Sequence, residues 1–380
     1  MSQRKAIVCF MQRLAVIGAS YLQSPLVKKA KEVGLYTICF AWTEGAVCKD
    51  EADEFYPISI VEKERIFKVC QDKQVDGICT IASDVAAPTV AYVAEKMGLV
   101  GNSYDVALRA NNKYLMRQAF SANGIPCPAY RKITSLEPLN SKDLRFPIIV
   151  KPTDRSGSLG VTKVERIDDL KTTVEIALAS SFKHEAIVEE FIEGREISVE
   201  FISYKGTHFP LQITDKVTTG APHFVELEHH QPADLSPKQY VQIYDLTKRA
   251  LDALGVTNGA SHSEYKITPD GKIYIMEIGA RMGGDFIGSD LVQLSTGYDF
   301  LKGVIDVALG RFEEPVFGES HYAGVYFLCE ETKHLQATIK EAKLLQKVRA
   351  EITDEVLRQV KCSADRSGYL IYQGNKKLVI

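Results

Sequence analysis

Residues 261–284 read S-H-S-E-Y-K-I-T-P-D-G-K-I-Y-I-M-E-I-G-A-R-M-G-G, with an apolar run on each side of a turn. The turn is Pro269-Asp270-Gly271, in which Pro presets φ, Asp can hydrogen-bond its own backbone and Gly tolerates positive φ. The pattern therefore predicts a β-hairpin. We expect a four-residue loop that pairs Thr268 with Ile273 and so fixes the register of the two strands.

This register places Glu264 opposite Glu277 on one face of the hairpin, with their Cβ atoms roughly 5 Å apart. Like charges at that distance destabilise the pair, and Glu277 also interrupts the apolar run 273–278, so its charge needs a partner. A divalent cation between the two carboxylates meets this need, because Mg²⁺ is usually held by one or two carboxylates together with substrate phosphates. For a hairpin taken alone, two solvated glutamates are the commoner arrangement.

The composition is typical of a globular protein with two or three domains. The chain has 380 residues and a net charge of −3 with interspersed signs, so it carries no electrostatic footprint for nucleic acid or an anionic membrane. No apolar run approaches the ~20 residues that span a bilayer, and residues 1–10 are too short for a signal peptide. Eight scattered cysteines without C-x-x-C indicate reduced thiols, so we expect a cytoplasmic protein whose partners are small molecules.

Strands alternate with helices near the start of the chain, which predicts a parallel sheet with crossover helices. The predicted strands cover residues 14–18, 36–40 and 76–81, and the helices cover residues 25–33 and 62–73. Gly18 at the first strand-to-helix turn suggests a dinucleotide site. The G-x-G-x-x-G pattern fails at Ser20 and Gln23, however, which favours a simple tight turn.

Two lysines and a glycine-rich turn come next. Asn111-Asn112 can cap a helix that extends to about Ala122 and carries Lys113 in its first turn, where the cation either is solvated or faces an anion. The strand 146–152 contains Lys151 and is followed by the Gly/Ser-rich turn 154–161. Small residues leave backbone N–H groups free to approach phosphate oxygens, and the lysine adds a positive charge. Alone, such a turn is most often only a hairpin, and the Walker sequence is absent.

The segment 186–196, A-I-V-E-E-F-I-E-G-R-E, predicts a strand that ends in a short polar connection. We interpret this connection as a hinge whose exposed backbone can bind an adenine edge, or, as the alternative, as a solvated acidic edge. Further along, His229 and His230 lie in the polar stretch 214–232. Adjacent side chains point apart on a strand, so a substrate-facing loop or plain surface is expected here and not a metal pair.

Taken together and in this order, the motifs resemble those of the ATP-grasp superfamily of carboxylate–amine ligases over residues 14–311. The form E-I-G-A-R-M-G-G is similar to the branch that contains the L-amino-acid ligases. The resemblance, with the β-rich pattern of the tail, implies an α/β chain of four parts. These are an N-terminal parallel α/β domain at 1–110, a small lid subdomain at 111–192, a large subdomain at 193–318 and a β-rich C-terminal appendage at 319–380.

The resemblance also implies a role for each motif residue. At the phosphates of ATP it places two lysines and a closing loop: Lys113, Lys151, Ser156, Gly157, Ser158 and Gly160. At the adenine and ribose it places the hinge residues Glu189, Glu190, Phe191, Ile192 and Glu196. Glu264 and Glu277 match the two Mg²⁺ ligands, and Arg281 acts in catalysis together with Lys151. Gly279 stands where many members have a metal-binding asparagine, so the metal depends on the two glutamates or on water.

The implied reaction joins a carboxylate to an amine, or to a thiol, through an acyl phosphate, with release of ADP and phosphate. ATP and Mg²⁺ are the expected cofactors, and Mn²⁺ can replace Mg²⁺. Carboxyphosphate chemistry, as in carboxylases or carbamoyl-phosphate synthetase, is the alternative within the superfamily, and a nucleotide-binding protein without catalysis is the alternative outside it. A nicotinamide oxidoreductase would need the missing glycines near Gly18. Small-molecule substrates are the expected partners, and a homodimer is the commonest assembly.

Overall fold

Three β-sheets organise the computed structural model of the protein, which describes residues 11–135, 145–157, 159–221, 223–340 and 346–380. Within these residues, no helix is both long and apolar enough to cross a membrane. All seven described cysteines are free, and five of them are buried. The free, mostly buried cysteines therefore agree with the predicted reduced thiols.

The first sheet is parallel, in the order β3-β2-β1-β4, and confirms the predicted alternation of strands and helices. Its strands are β1 Arg13–Ile17, β2 Tyr36–Phe40, β3 Glu54–Tyr56 and β4 Gly77–Cys79. Its helices are α1 Ser24–Glu32, α2 Lys63–Lys73, α3 Ala87–Met97 and α4 Tyr104–Asn111. Strands β1 and β2 are almost wholly buried, which is why their sequences are continuous apolar runs.

The second sheet is a small antiparallel unit with a core of its own. It has the order β5-β8-β6-β7, and α6 covers one face. Ile148, Val150 and Val174 belong to its separate hydrophobic cluster. The elements of this region are α5 Lys113–Ala122, β5 Tyr130–Ile133, β6 Ile148–Pro152, β7 Thr162–Val164, α6 Leu170–Ser180 and β8 Ala186–Glu190. As predicted, Asn112 caps α5, since its side chain accepts a hydrogen bond from the Leu115 N–H.

The third sheet has eight antiparallel strands in the order β13-β12-β9-β10-β11-β14-β16-β15. Its first five strands and their long helix are β9 Arg195–Tyr204, β10 Thr207–Thr218, β11 Glu226–Gln231, α7 Pro237–Leu254, β12 Gly259–Ile267 and β13 Ile273–Gly279. The remaining elements are α8 Val292–Thr296, α9 Phe300–Ala308, β14 Tyr322–Leu328, α10 Leu335–Lys340, β15 Lys347–Ile352 and β16 Gly368–Gly374. The C-terminal segment is β-rich as predicted, and because β14 pairs with β11 it extends the large sheet.

The expectation of a loop or plain surface at 214–232 is wrong. Strands β10 and β11 occupy much of this stretch, and His229 and His230 are each only 1% exposed. Because β11 lies between β10 and β14, both histidines are enclosed. His230 bonds to the Tyr372 hydroxyl at 2.9 Å, while burial holds the pKa of His229 well below its usual range. The sequence shows only the polarity of this strand, which here serves buried hydrogen bonds.

Candidate active site

The central hairpin places Glu264 opposite Glu277, as predicted, but by a different register. Near the turn, Ile267 and not Thr268 pairs with Ile273. A β-bulge then leaves Met276 without a partner on β12, and this extra residue brings the two glutamates back into line. The predicted pair is therefore confirmed, although the four-residue loop is wrong.

A lysine neutralises each of the two glutamates. The Nζ atom of Lys113 lies 2.9 Å from Glu277 Oε1, and that of Lys216 lies 2.7 Å from Glu264 Oε1. Lys113 also donates to the Arg155 carbonyl at 2.7 Å, so it faces an anion and is not solvated. The charge of Lys216 holds the pKa of Glu264 well below its usual range. Burial would lower the pKa of Lys216, but the carboxylates of Glu264 and Glu226 outweigh burial and raise it.

Lys151 belongs to a buried ion network with Glu189 and Arg117. Its Nζ atom lies 2.6 Å from Glu189 Oε2, and Arg117 Nε lies 2.7 Å from Glu189 Oε1. Burial would raise the pKa of Glu189, but the two cations outweigh burial and lower it. Arg117 also donates to the Met276 carbonyl at 2.6 Å, so the same residue fixes the bulge of the hairpin. Sequence reasoning missed Arg117, whose position four residues after Lys113 places both on one face of α5.

Arg281 is held by Asp84, which follows β4 in the N-terminal part of the chain. The guanidinium makes two hydrogen bonds to this carboxylate, at 2.8 and 2.6 Å. Burial would raise the pKa of Asp84, but Arg281 outweighs it and lowers that pKa. A Cβ atom at Gly279 would lie only 2.6 Å from Asp84 Oδ1, so the residue that replaces the expected asparagine leaves room for this pair.

A buried histidine supports the loop that follows the hairpin. His262 bonds through Nδ1 to Glu200, whose other oxygen accepts from the Gly283 N–H at 3.1 Å. Burial would lower the pKa of His262, but the charge of Glu200 outweighs burial and raises it to about 9. His262 is therefore a cation at neutral pH, 3.5 Å from Glu264.

These residues meet around a cavity of about 250 Å³, here called the charged cavity. The predicted site residues in its wall are Lys113, Lys151, Ser156, Gly157, Phe191, Ile192, Glu196, Glu264, Glu277 and Arg281. Residues that sequence reasoning left without a role also line it, namely Asp84, Lys216, His262 and Lys266. Their ion-pair partners are distant in the sequence, so no local sequence pattern identifies these four residues as part of the site.

Four predicted site residues do not line this cavity or lie outside the described residues. The side chain of Glu189 is buried in its ion network, and Glu190 is exposed at the end of β8. Gly160 has φ +72°, and a Cβ atom there would lie 3.0 Å from the Ser180 side chain. Ser158 is outside the described residues.

The hinge connects β8 to β9, and its aromatic ring is surrounded by cations. The Nζ atoms of Lys163 and Lys266 lie 4.3 and 5.4 Å from the centre of the Phe191 ring. Lys266 also pairs with Glu196 at 3.0 Å. The N–H of Phe191 donates to the Pro147 carbonyl, which anchors the hinge to the residue before β6. A planar group beside this ring would therefore lie between apolar and positively charged neighbours.

The two glutamates provide a donor set suited to Mg²⁺, because hard cations prefer oxygen ligands and Mg²⁺ needs only one or two protein carboxylates when phosphates supply the rest. Within the described parts of the chain, no group of three or more His, Cys, Asp or Glu side chains could hold a metal ion.

Comparison with known proteins agrees with the fold and the motifs. A family model described as the ATP-grasp domain matches residues 144–290. Residues 144–290 therefore contain an ATP-grasp domain. The crystal structure of an L-amino acid ligase from Bacillus licheniformis covers 96% of this chain and 94% of its own, with a TM-score of 0.80 and 23% identity. That similarity establishes the fold.

Curated relatives are similar in sequence over part of their length. The alanine–anticapsin ligase of Bacillus subtilis (strain 168) is 30% identical over 263 residues, which are 61% of this chain and 55% of that protein. A D-alanine–D-alanine ligase of Streptococcus mutans is 30% identical over 206 residues, which are 50% of this chain and 57% of that protein. The chain therefore spans about half the length of these relatives.

We predict that Arg117→Met destabilises the fold by about 3–5 kcal/mol, because it leaves the buried carboxylate of Glu189 short of a cation. Equilibrium urea unfolding measures this change. The matched control is Arg65→Met, which removes an exposed ion pair with Glu62 and should cost about 0–1 kcal/mol. Equal costs for the two variants would show that the buried network does not hold the sheets together.

We predict that Gly279→Ala destabilises the fold by about 1–3 kcal/mol through the clash of its Cβ atom with Asp84. Gly318→Ala is the matched control, because a Cβ atom there meets its nearest neighbour at an ordinary 3.6 Å. In the Asp84→Ala background the clash is absent, so the cost of Gly279→Ala should fall. A double-mutant cycle in urea measures this coupling, and additivity within about 0.5 kcal/mol would refute a direct steric link.

Proposed function

We propose that this protein is an ATP-dependent carboxylate–amine ligase that acts through an acyl phosphate and releases ADP and phosphate. One observation carries the proposal. Lysines and an arginine from four parts of the chain converge on two facing carboxylates in a single cavity: Lys113, Lys151, Lys216, Arg281, Glu264 and Glu277. Phosphoryl transfer depends mostly on positioning and on neutralising charge, and this set of groups suits both tasks.

The hinge at one end of the charged cavity suits the adenosine. The Phe191 ring and Ile192 supply apolar contact for a base, and Glu196 has acceptor oxygens for ribose hydroxyls. Lys113 and Lys151 would then reach the phosphates. Ser156 and Gly157 lie beside the same cavity, where backbone N–H groups can approach phosphate oxygens.

The charge pairs of the cavity suggest how Mg·ATP is accommodated. In this structure Lys113 neutralises Glu277 and Lys216 neutralises Glu264. Phosphates would replace the carboxylates as partners of lysine, and Glu264 and Glu277 would hold Mg²⁺ or Mn²⁺. The metal supplies charge neutralisation for the phosphates. No buried charge is left unpaired by this exchange, which matters because an uncompensated buried ion is costly.

The chain's own groups then serve the two chemical steps. A carboxylate oxygen of one substrate attacks the γ-phosphorus as the bond to ADP breaks, and Lys151 and Arg281 steady the transferred group. The amine of the other substrate attacks the acyl carbon, phosphate leaves, and the amine proton passes to solvent or base. The relatives that share about half of their length with this chain are named as ligases of alanine, so amino acids are the first substrates to test.

The test is phosphate release by the purified protein with Mg·ATP and amino acids, supplied singly and in pairs, with the nucleotide product identified. We expect ADP and phosphate only when an amino acid or a small carboxylic acid is present. A separate arm contains bicarbonate and no amino acid. Phosphate release with bicarbonate alone would favour carboxyphosphate chemistry. ATP binding without phosphate release under any of these conditions would favour a nucleotide-binding protein without catalysis.

We predict that Glu277→Gln lowers substrate-dependent phosphate release by about 100-fold or more, because it removes half of the carboxylate pair that faces the phosphates. The control Glu175→Gln changes an exposed glutamate on α6 and should leave the rate unchanged. Thermal unfolding of both variants verifies that the fold is intact. Wild-type rates in Glu277→Gln would remove the metal assignment.

We predict that Lys151→Met weakens ATP binding about tenfold, since the lysine is expected to contact a phosphate. Isothermal titration calorimetry measures the affinity, and Lys171→Met on the exposed face of α6 is the control. An unaltered affinity would mean that Lys151 serves only to neutralise Glu189.

A further inference from the structure

A larger cavity of about 850 Å³ lies beside the charged cavity, and we call it the aromatic chamber. A third cavity of about 280 Å³, here called the connecting cavity, has lining residues in common with both. The connecting cavity shares Lys216, Glu264 and Arg281 with the charged cavity. It shares Tyr21 and Asp285 with the aromatic chamber. The chamber therefore opens toward the groups to which the chemistry is assigned.

Aromatic rings form much of the wall of the chamber. Phe286 lies with its ring centre 4.5 Å from that of Tyr369 and 6.1 Å from that of Phe327. Tyr21 and Ile81 complete this apolar wall from the N-terminal part of the chain. The chamber is thus assembled from the first sheet, the segment after β13 and the C-terminal strands. Its volume falls in the range of roughly 300–1,000 Å³ that is usual for small-molecule sites.

The cations in the chamber wall are already neutralised. Arg366 makes two hydrogen bonds to Asp285, at 2.8 and 3.0 Å. Arg349 lies 2.9 Å from Asp290, and Lys28 lies 3.0 Å from Glu51. A charged group entering the chamber would have to compete with these pairs. An uncharged apolar or aromatic group would not, and it would gain contact with the rings.

The backbone at the entrance is held in an unusual conformation. Asp285 and Phe286 follow the R-M-G-G motif directly and have φ values of +49° and +66°. Two successive residues with side chains seldom adopt this left-handed region, and such strain is concentrated at functional sites. This backbone conformation lets Asp285 pair with Arg366 while Phe286 places its ring in the chamber.

We propose that the aromatic chamber binds the large apolar or aromatic side chain of the carboxylate substrate, with its carboxylate in the connecting cavity near Arg281. This inference rests on the ligase function proposed above. It assigns a substrate class, namely amino acids or related small acids with a bulky uncharged side chain. The reacting carboxylate and the side chain then lie in different cavities, so each is recognised separately.

The first experiment measures binding directly and does not depend on turnover. Calorimetry with Mg·ADP present compares L-phenylalanine and L-tryptophan with L-alanine, and 3-phenylpropionate with propionate. We expect the aromatic member of each comparison to bind at least about tenfold more tightly, because only it reaches the aromatic wall of the chamber. Equal affinities, or no binding by any aromatic acid, would overturn the proposal.

The second experiment fills the chamber. Ala364 is exposed to the chamber from a short turn of helix. Ala364→Trp should therefore lower the affinity for aromatic acids about tenfold, which removes the preference for them, and should leave the affinity for ADP unchanged. The matched control is Ala122→Trp, which makes the same exchange at an exposed position at the end of α5. Tyr369→Ala, which removes one ring, should weaken aromatic binding in the same direction. Aromatic binding that is unchanged in both chamber variants would overturn the proposal.

The outcomes separate this inference from the proposed function. Phosphate release with small and bulky amino acids at equal efficiency would support the ligase and refute the chamber assignment. Aromatic binding that is lost in Ala364→Trp, without phosphate release under any condition, would support the chamber and refute the ligase.

Discussion

The carboxylates of Glu264 and Glu277, held face to face across the β12–β13 ladder, govern the arrangement of charge in this protein. Two unit charges about 5 Å apart repel by about 3 kcal/mol at an effective dielectric constant near 20. Without neutralisation, this pair would destabilise the hairpin. The lysines that neutralise it come from α5 and from β10, so the repulsion within one hairpin is relieved only when separate parts of the chain meet. The hairpin therefore gains its stability only when the charged cavity is assembled.

Arg117 extends this dependence to the backbone. Its guanidinium contacts Glu189 of the second sheet and the Met276 carbonyl of the third, and it is wholly buried on α5. The bulge at Met276 leaves a carbonyl outside the ladder, and a buried carbonyl without a donor is costly. Arg117 supplies that donor. One side chain therefore supports the position of the second sheet, the placement of Lys151 beside Glu189 and the register that aligns Glu264 with Glu277.

The sequence predicts the local features of this fold well, because they depend on neighbouring residues. Strand β2 has the bounds that its mainly apolar sequence predicts, and the hairpin follows from its turn residues. The bulge could not be predicted, since its hydrogen-bond partners lie in another segment. Arg117 donates to the Met276 carbonyl, and the Pro126 carbonyl accepts from the Ile275 N–H. For the same reason the sequence predicts a loop or surface at β11, because the partners of its polar residues are in β14 and β16, which come much later in the chain.

Gly279 shows how a local departure from a motif gains meaning from the fold. Seen in the sequence, it is the loss of an asparagine side chain. In the structure, the space beside it is filled by the Asp84 carboxylate, which bonds twice to Arg281. A side chain at 279 and this ion pair cannot occupy the same volume. The N-terminal sheet therefore contributes a charged group to the site at the position that the glycine leaves open, and it also bridges to the motif through the Ala82 N–H and the Met282 carbonyl. Arg281 is thereby tied to the N-terminal sheet, so its orientation depends on how that sheet packs, a property that the E-I-G-A-R-M-G-G motif does not contain.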